Sequence, residues 1–149
     1  MALGLKKMKF ILLAGALLAP LAASAADRCS TKQAQAAEEA TDQMKTWSAI
    51  YSGFKSFHHC DDGGIAEGFT EAVVHLLASD WRSVGSAASL STKDKAFSSF
   101  LLKHINASAN TEELQNIAST SGAQCPPELS SVCEDIHRAA TLALEEAAQ

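Results

Sequence analysis

Positive charge is scarce in this chain. Its 149 residues hold twelve lysines and arginines against seventeen aspartates and glutamates, a net charge of −5. Nucleic acid and anionic lipid both reward positive charge, so neither is expected as a partner. Chemical signatures are equally sparse. No serine stands in a G-x-S-x-G turn, and the only paired glycines that could suggest a phosphate loop are Gly63-Gly64, without the flanking pattern. Runs of alternating β-branched residues and hairpin turns are missing as well, which removes the pattern of a sheet. No apolar run reaches the roughly 20 residues that cross a bilayer. These absences point away from an enzyme and call for no cofactor.

What is present begins with an export pattern. Lys6, Lys7 and Lys9 form a positive n-region, Phe10 to Leu18 an apolar core, and Ala23-Ser24-Ala25 the small-x-small pattern of a cleavage site. Residues 1–25 are therefore expected to be a cleaved signal peptide. Asp27 and Arg28 before Cys29 do not suit lipid attachment, so no stable membrane anchor is expected after cleavage. The leader looks bacterial, and the expected localisation is periplasmic or secreted. With its three lysines removed, the net charge falls from −5 to −8. That balance suits a basic protein partner.

Helical periodicity predicts an all-α fold, a small irregular bundle of about five helices. The first covers 31–58, where Met44, Trp47, Tyr51 and Phe54 recur at three- and four-residue steps. Residues 26–46 carry few large apolar side chains and read as a helical or flexible N-terminal extension. Residues 47–149 then form a single helical domain with a frayed C-terminal tail. A second helix over 64–82 has Ile65, Phe69, Val73 and Leu76 on one face. After a loop at 83–91, a third opens at Ser91-Thr92-Lys93-Asp94 and buries Phe97, Phe100 and Leu101, with His104 as a hydrogen-bonded core histidine. A fourth runs from an Asn110 cap to Ser121-Gly122. The fifth starts at Pro126-Pro127-Glu128 and fades into the alanine-rich tail.

Cys29, Cys60, Cys125 and Cys133 are disulfide candidates in an exported chain, with three connectivities open. A straight first helix would hold Cys29 and Cys60 about 46 Å apart, at ~1.5 Å of rise per residue. A bridge needs Cα atoms within about 7 Å. Even crossed pairing to Cys125 and Cys133 reaches across only about 40 Å. Either the helix breaks near Thr46 or Gly53, or Cys29 lies on a tail that folds back. The tail is the favoured reading, with a bridge from Cys60 to Cys125 or Cys133. A local Cys125–Cys133 loop competes.

The stretch "FHHCDDGGIAEGF" at 57–69 concentrates metal-capable side chains. His58, His59 and Asp62 are the minority candidates for zinc or copper. Adjacent helical residues point about 100° apart, however, and the spacing matches no zinc pattern. A structural reading accounts for more of the residues. Cys60 joins a disulfide, Asp61 and Asp62 cap the second helix, and Gly63 and Gly64 turn the chain. Glu67, Glu71 and His75 share one helix face and carry the groups for acid–base chemistry, the basis of a small-hydrolase alternative. On a helix facing water the same spacing is an ordinary solvated face. Asn106-Ala107-Ser108 matches a glycosylation sequon.

The CDDG-x-IAEGF motif, Val73 with Leu76-Leu77, Trp81, Cys125-Pro126 and Cys133 together resemble a family of small exported all-α bacterial proteins. The resemblance covers roughly 47–138 and implies a helical secreted domain with no particular activity. The expected function is a non-enzymatic protein-interaction domain, such as an immunity or inhibitor protein or an envelope accessory subunit. Periplasmic metal binding is the alternative.

Overall fold

The computed structural model describes residues 28–149, so the expected leader at 1–25 lies outside the described residues. Seven α-helices and no strand make up the described chain, in agreement with the all-α expectation. They are α1 (Thr31–Thr41), α2 (Trp47–Phe57), α3 (Gly63–Ser79), α4 (Val84–Lys93), α5 (Lys95–Lys103), α6 (Thr111–Ala123) and α7 (Ser130–Ala147). Single 3-10 turns at His58–Cys60, Trp81–Ser83 and Pro127–Leu129 join three pairs of them.

The expected first helix is two helices. Ser30 opens α1 with a reciprocal capping box to Gln33, and Thr46 opens α2 by accepting from the Ala49 N–H. Between them, residues 42–46 reverse the chain. Each helix has eleven residues, so the outward and return legs match, and Cys29 arrives beside Cys60 with Cα atoms 4.9 Å apart. The Cys29–Cys60 bridge that a straight helix forbids is thus formed, and Cys60 does not pair with the C-terminal helix. Cys125 closes a local loop with Cys133 instead. Of the two escapes from the length conflict, the break near Thr46 is the one taken.

Gly53 is not a break. It lies buried within α2, where an added Cβ would stand 2.0 Å from the Met44 methyl, so its bare surface seats that side chain. Nor is the stretch before Met44 a free extension. α1 packs on α3 with Ala37 fully buried. The contact is close because Gly68 faces Thr41; a Cβ at 68 would lie 2.6–2.9 Å from three atoms of that threonine.

Residues 83–91, expected as a loop, form most of α4. Val84, Ala87, Ala88 and Ser91 make its buried face at helical spacing. The side chains are small, so the stripe carries little hydrophobic contrast, but it lets α4 approach its neighbours closely. Ser91 belongs to this face and does not cap α5. Asp94 does, accepting from the Ala96 and Phe97 N–H groups. Its carboxylate is held below the ordinary range by the Phe97 N–H first, with Tyr51 and Lys55 adding to the effect against desolvation. α7 likewise persists to Ala147 with Ala140 and Ala143 buried, so the C-terminal tail is helical and not frayed.

Four phenylalanines knit the centre. Phe100 packs at 4.9 Å from both Phe54 and Phe69, and Phe54 lies 5.5 Å from Phe97, tying α2, α3 and α5 together. Burying each such ring contributes about 1.5–3 kcal/mol. Leu114 and Ile117 from α6 and Ile136 from α7 extend the core to the other side.

The Gly68 contact makes a direct prediction. Gly68→Ala lowers the unfolding free energy by about 1–3 kcal/mol, because a rigid β-branched side chain must be pushed aside. Gly64→Ala, whose Cβ meets nothing within 4 Å, leaves stability unchanged or raises it by up to about 1 kcal/mol. Urea denaturation of the two variants beside the parent checks both signs.

Candidate functional site

Glu67 and Glu71 are exposed on α3, but they do not stand on an isolated helix face. The loop at 104–110 and the first turn of α6 rise beside them and convert a helix face into a groove. A hollow of about 440 Å³ is lined by Glu67, Thr70, Glu71 and Val74 from α3 and by Ser108–Asn110 and Glu113 from the opposite wall. A second hollow shares Glu71, Asn110 and Glu113 with it and adds Glu112 and Asn116. Asn110 builds this wall by capping α6, its side-chain oxygen accepting from the Glu112 and Glu113 N–H groups. His75, at the far end, pairs with Glu113 at 2.8 Å. No lysine or arginine lines either hollow. The groove could not be found from α3 alone, since its second wall is more than thirty residues away in sequence.

Beneath the groove runs a buried polar chain. His104 is 1 % exposed, with Nε2 lying 3.1 Å from Asp61 Oδ2 and Nδ1 lying 3.0 Å from Thr70 Oγ1. Burial holds the imidazole below the ordinary histidine range, with the Asp61 carboxylate partly opposing. A neutral ring then has one consistent arrangement. Nε2–H donates to Asp61, and Nδ1 accepts from the Thr70 hydroxyl. Thr70 in turn accepts from Asn106 Nδ2 at 3.2 Å, and Asp61 also takes Lys103 Nζ at 2.7 Å. Asn106 spends its side-chain oxygen on the Ser108 N–H and hydroxyl. The sequon asparagine is therefore a clamp for the groove loop.

A hydroxyl, an imidazole and a carboxylate in series have the order of a nucleophilic relay. The surroundings oppose that use. Thr70 is 4 % exposed, and an oxyanion formed there would develop beside Glu67, Glu71 and Glu113. Acyl transfer needs donors at that place, not carboxylates. The chain is better understood as the fastening between the corner at 57–63, α3, α5 and the groove loop.

The corner itself is now placed. Cys60 is committed to Cys29. His58 is exposed and turns Nδ1–H to the Phe54 carbonyl at 2.9 Å, while its ring lies against Phe54. His59 is half-buried with Nε2 unpaired among the described residues, as is the second oxygen of Asp61. Among the described residues no three His, Cys, Asp or Glu side chains are gathered as a metal-binding set. Asp62 is the N-cap of α3, accepting from the Gly63 N–H. Gly63 adopts φ +52°, a left-handed conformation that disfavours any side chain. Gly64 has no such strain and belongs to the first turn of α3. Asp61 lies in the turn but its carboxylate reaches across to α5, not to the N–H groups of α3.

Two disulfides and no free cysteine among the described residues fit an oxidising, extracytoplasmic environment. No described helix is long and apolar enough to cross a membrane. Comparison with protein-family models, with curated proteins and with solved structures yields no match.

Burial of neutral His104 sets a pH dependence. In the unfolded chain a histidine gains its proton near pH 6.5, whereas the folded chain resists it. The stability conferred by the depressed group is present above that value and falls as pH drops through the lower folded one. Stability measured by urea unfolding from pH 8 to pH 5 thus declines more steeply for the parent than for His104→Asn. The variant is less stable at pH 8, by about 1–3 kcal/mol, through loss of the hydrogen bonds that Asp61 and Thr70 make to the imidazole. Parallel pH profiles would remove His104 from the account.

Proposed function

We propose that this protein is a non-enzymatic periplasmic or secreted interaction domain whose groove between α3 and α6 receives a basic segment of a protein partner. The observation that carries the reading is the grouping of Glu67, Glu71, Glu112 and Glu113 around two adjoining hollows with no lysine or arginine in the lining. The walls are held without a partner, because Asn106, Thr70, His104 and Asp61 tie the loop to α3 and α5, and Asn110 of that loop caps α6. Preorganised walls spare a binder the cost of ordering them. A net negative protein with a one-signed groove steers a cationic partner at long range and rejects an anionic one. An immunity or inhibitor protein acting on a basic effector works in this way, as does an accessory subunit of an envelope complex.

A labelled oligolysine peptide serves as the probe. Fluorescence anisotropy titrations are expected to give binding that weakens steeply with added salt. Glu67→Gln, Glu71→Gln and Glu113→Gln combined should weaken it by about tenfold or more, a loss of at least about 1.4 kcal/mol. Glu38→Gln with Glu39→Gln on α1 carries the same kind of charge change away from the groove and should have much less effect. Equal loss from both sets would reduce the groove to a share of the overall charge and refute the proposal.

A further inference from the structure

The two disulfides occupy different surroundings. Cys60 is 3 % exposed and packs with Cys29 against the core. The Cys125–Cys133 bridge instead borders an open hollow of about 260 Å³ at the turn from α6 to α7, lined by both cysteines with Ser121, Pro126, Glu134 and His137. Each bridge joins a buried cysteine to a half-buried one, Cys60 to Cys29 and Cys133 to Cys125. The difference therefore lies in the hollow and its lining, and Cys125 is the more accessible sulfur of its pair. The bridge also closes a short loop, a separation of 8 residues against 31 for the other. Its loss therefore frees less chain entropy. Leu114 and Ile117 of α6 and Ile136 and Ala140 of α7 are buried, so the bridge is not the sole link holding those helices in the core.

His137 supplies the chemistry that a passive staple does not need. Its Nδ1 lies 2.8 Å from the Ala118 carbonyl oxygen. A carbonyl can only accept, so Nδ1 carries the proton and Nε2 is left as the basic nitrogen of an exposed ring lining the same hollow. Glu134 is the other titratable side chain of that lining apart from the bridged cysteines.

We infer that Cys125–Cys133 is a thiol–disulfide exchange site for small thiols of the cysteine class, with His137 as its base. The incoming thiol gives its proton to His137 Nε2, and the resulting thiolate attacks Cys125 Sγ. A new sulfur–sulfur bond forms there as the Cys125–Cys133 bond breaks, its electron pair leaving on Cys133 Sγ. That sulfur takes back the proton from the imidazolium. The small thiol is thereby oxidised into a mixed disulfide and Cys133 is reduced to a thiol. A second small thiol displaces Cys125 and completes the two-electron reduction, releasing the symmetric disulfide of the small thiol.

The test incubates the full protein with reduced glutathione, quenches with acid at timed intervals, alkylates free thiols and maps peptides by mass. Expected first is glutathione on Cys125 with Cys133 alkylated, while Cys29 and Cys60 are still joined. His137→Gln should slow that step several-fold near neutral pH, and the difference should vanish at alkaline pH, where the thiol ionises unaided. Simultaneous opening of both bridges, earlier opening of Cys29–Cys60, or glutathione on Cys133 would overturn the assignment of the site. A parent-like rate for His137→Gln at neutral pH would overturn the role of the base.

Discussion

The reversal of the chain between Asp42 and Thr46 is the constraint on which the remaining structure depends. It lets two eleven-residue helices lie side by side, brings Cys29 to Cys60, and lays α1 across α3 at Gly68. Without the turn the cysteines stand tens of ångströms apart, and without a bare α-carbon at 68 the side chain of Thr41 cannot come so close. The bridge then locks the 57–63 corner, and the same corner sends Asp61 inward to Lys103 and His104.

From Asp61 a continuous chain of hydrogen bonds leads to the acidic groove. Breaking any buried member leaves its neighbours unpaired, and each such loss costs about 1–3 kcal/mol, comparable with burying a whole side chain. This packing sets the four groove carboxylates, Glu67, Glu71, Glu112 and Glu113, in a defined arrangement. Glu113 is placed further by its pairing with His75. Under the proposed function, a cationic segment would meet carboxylates already set in place by this packing. Charge, shape and rigidity thus support one reading from independent directions.

The all-α class was legible in the sequence because Phe54, Phe69, Phe97, Phe100, Ile117 and Ile136 recur at helical spacing and are large enough to mark a face. α4 was not, because its buried face is Val84 with two alanines and a serine, which differ little in hydrophobicity from an exposed stretch. The break in the first helix left a weak local sign, Thr46 as a cap, but Gly53 offered a competing one. Only the close approach of Met44 to Gly53 distinguishes a packing glycine from a breaking one. Glu67, Glu71 and His75 were visible as a set, whereas the wall opposite them was not. Glu113 and Asn110 had a sufficient local purpose as the start of α6, so nothing in sequence linked them to α3.

Disulfide mapping tests the central claim most directly. Digestion of the unreduced protein under acidic conditions, followed by mass analysis of the linked peptides, should join Cys29 to Cys60 and Cys125 to Cys133. A peptide joining Cys60 to either Cys125 or Cys133 would contradict the account, for it would undo the reversal at 42–46 and with it the frame that holds the groove.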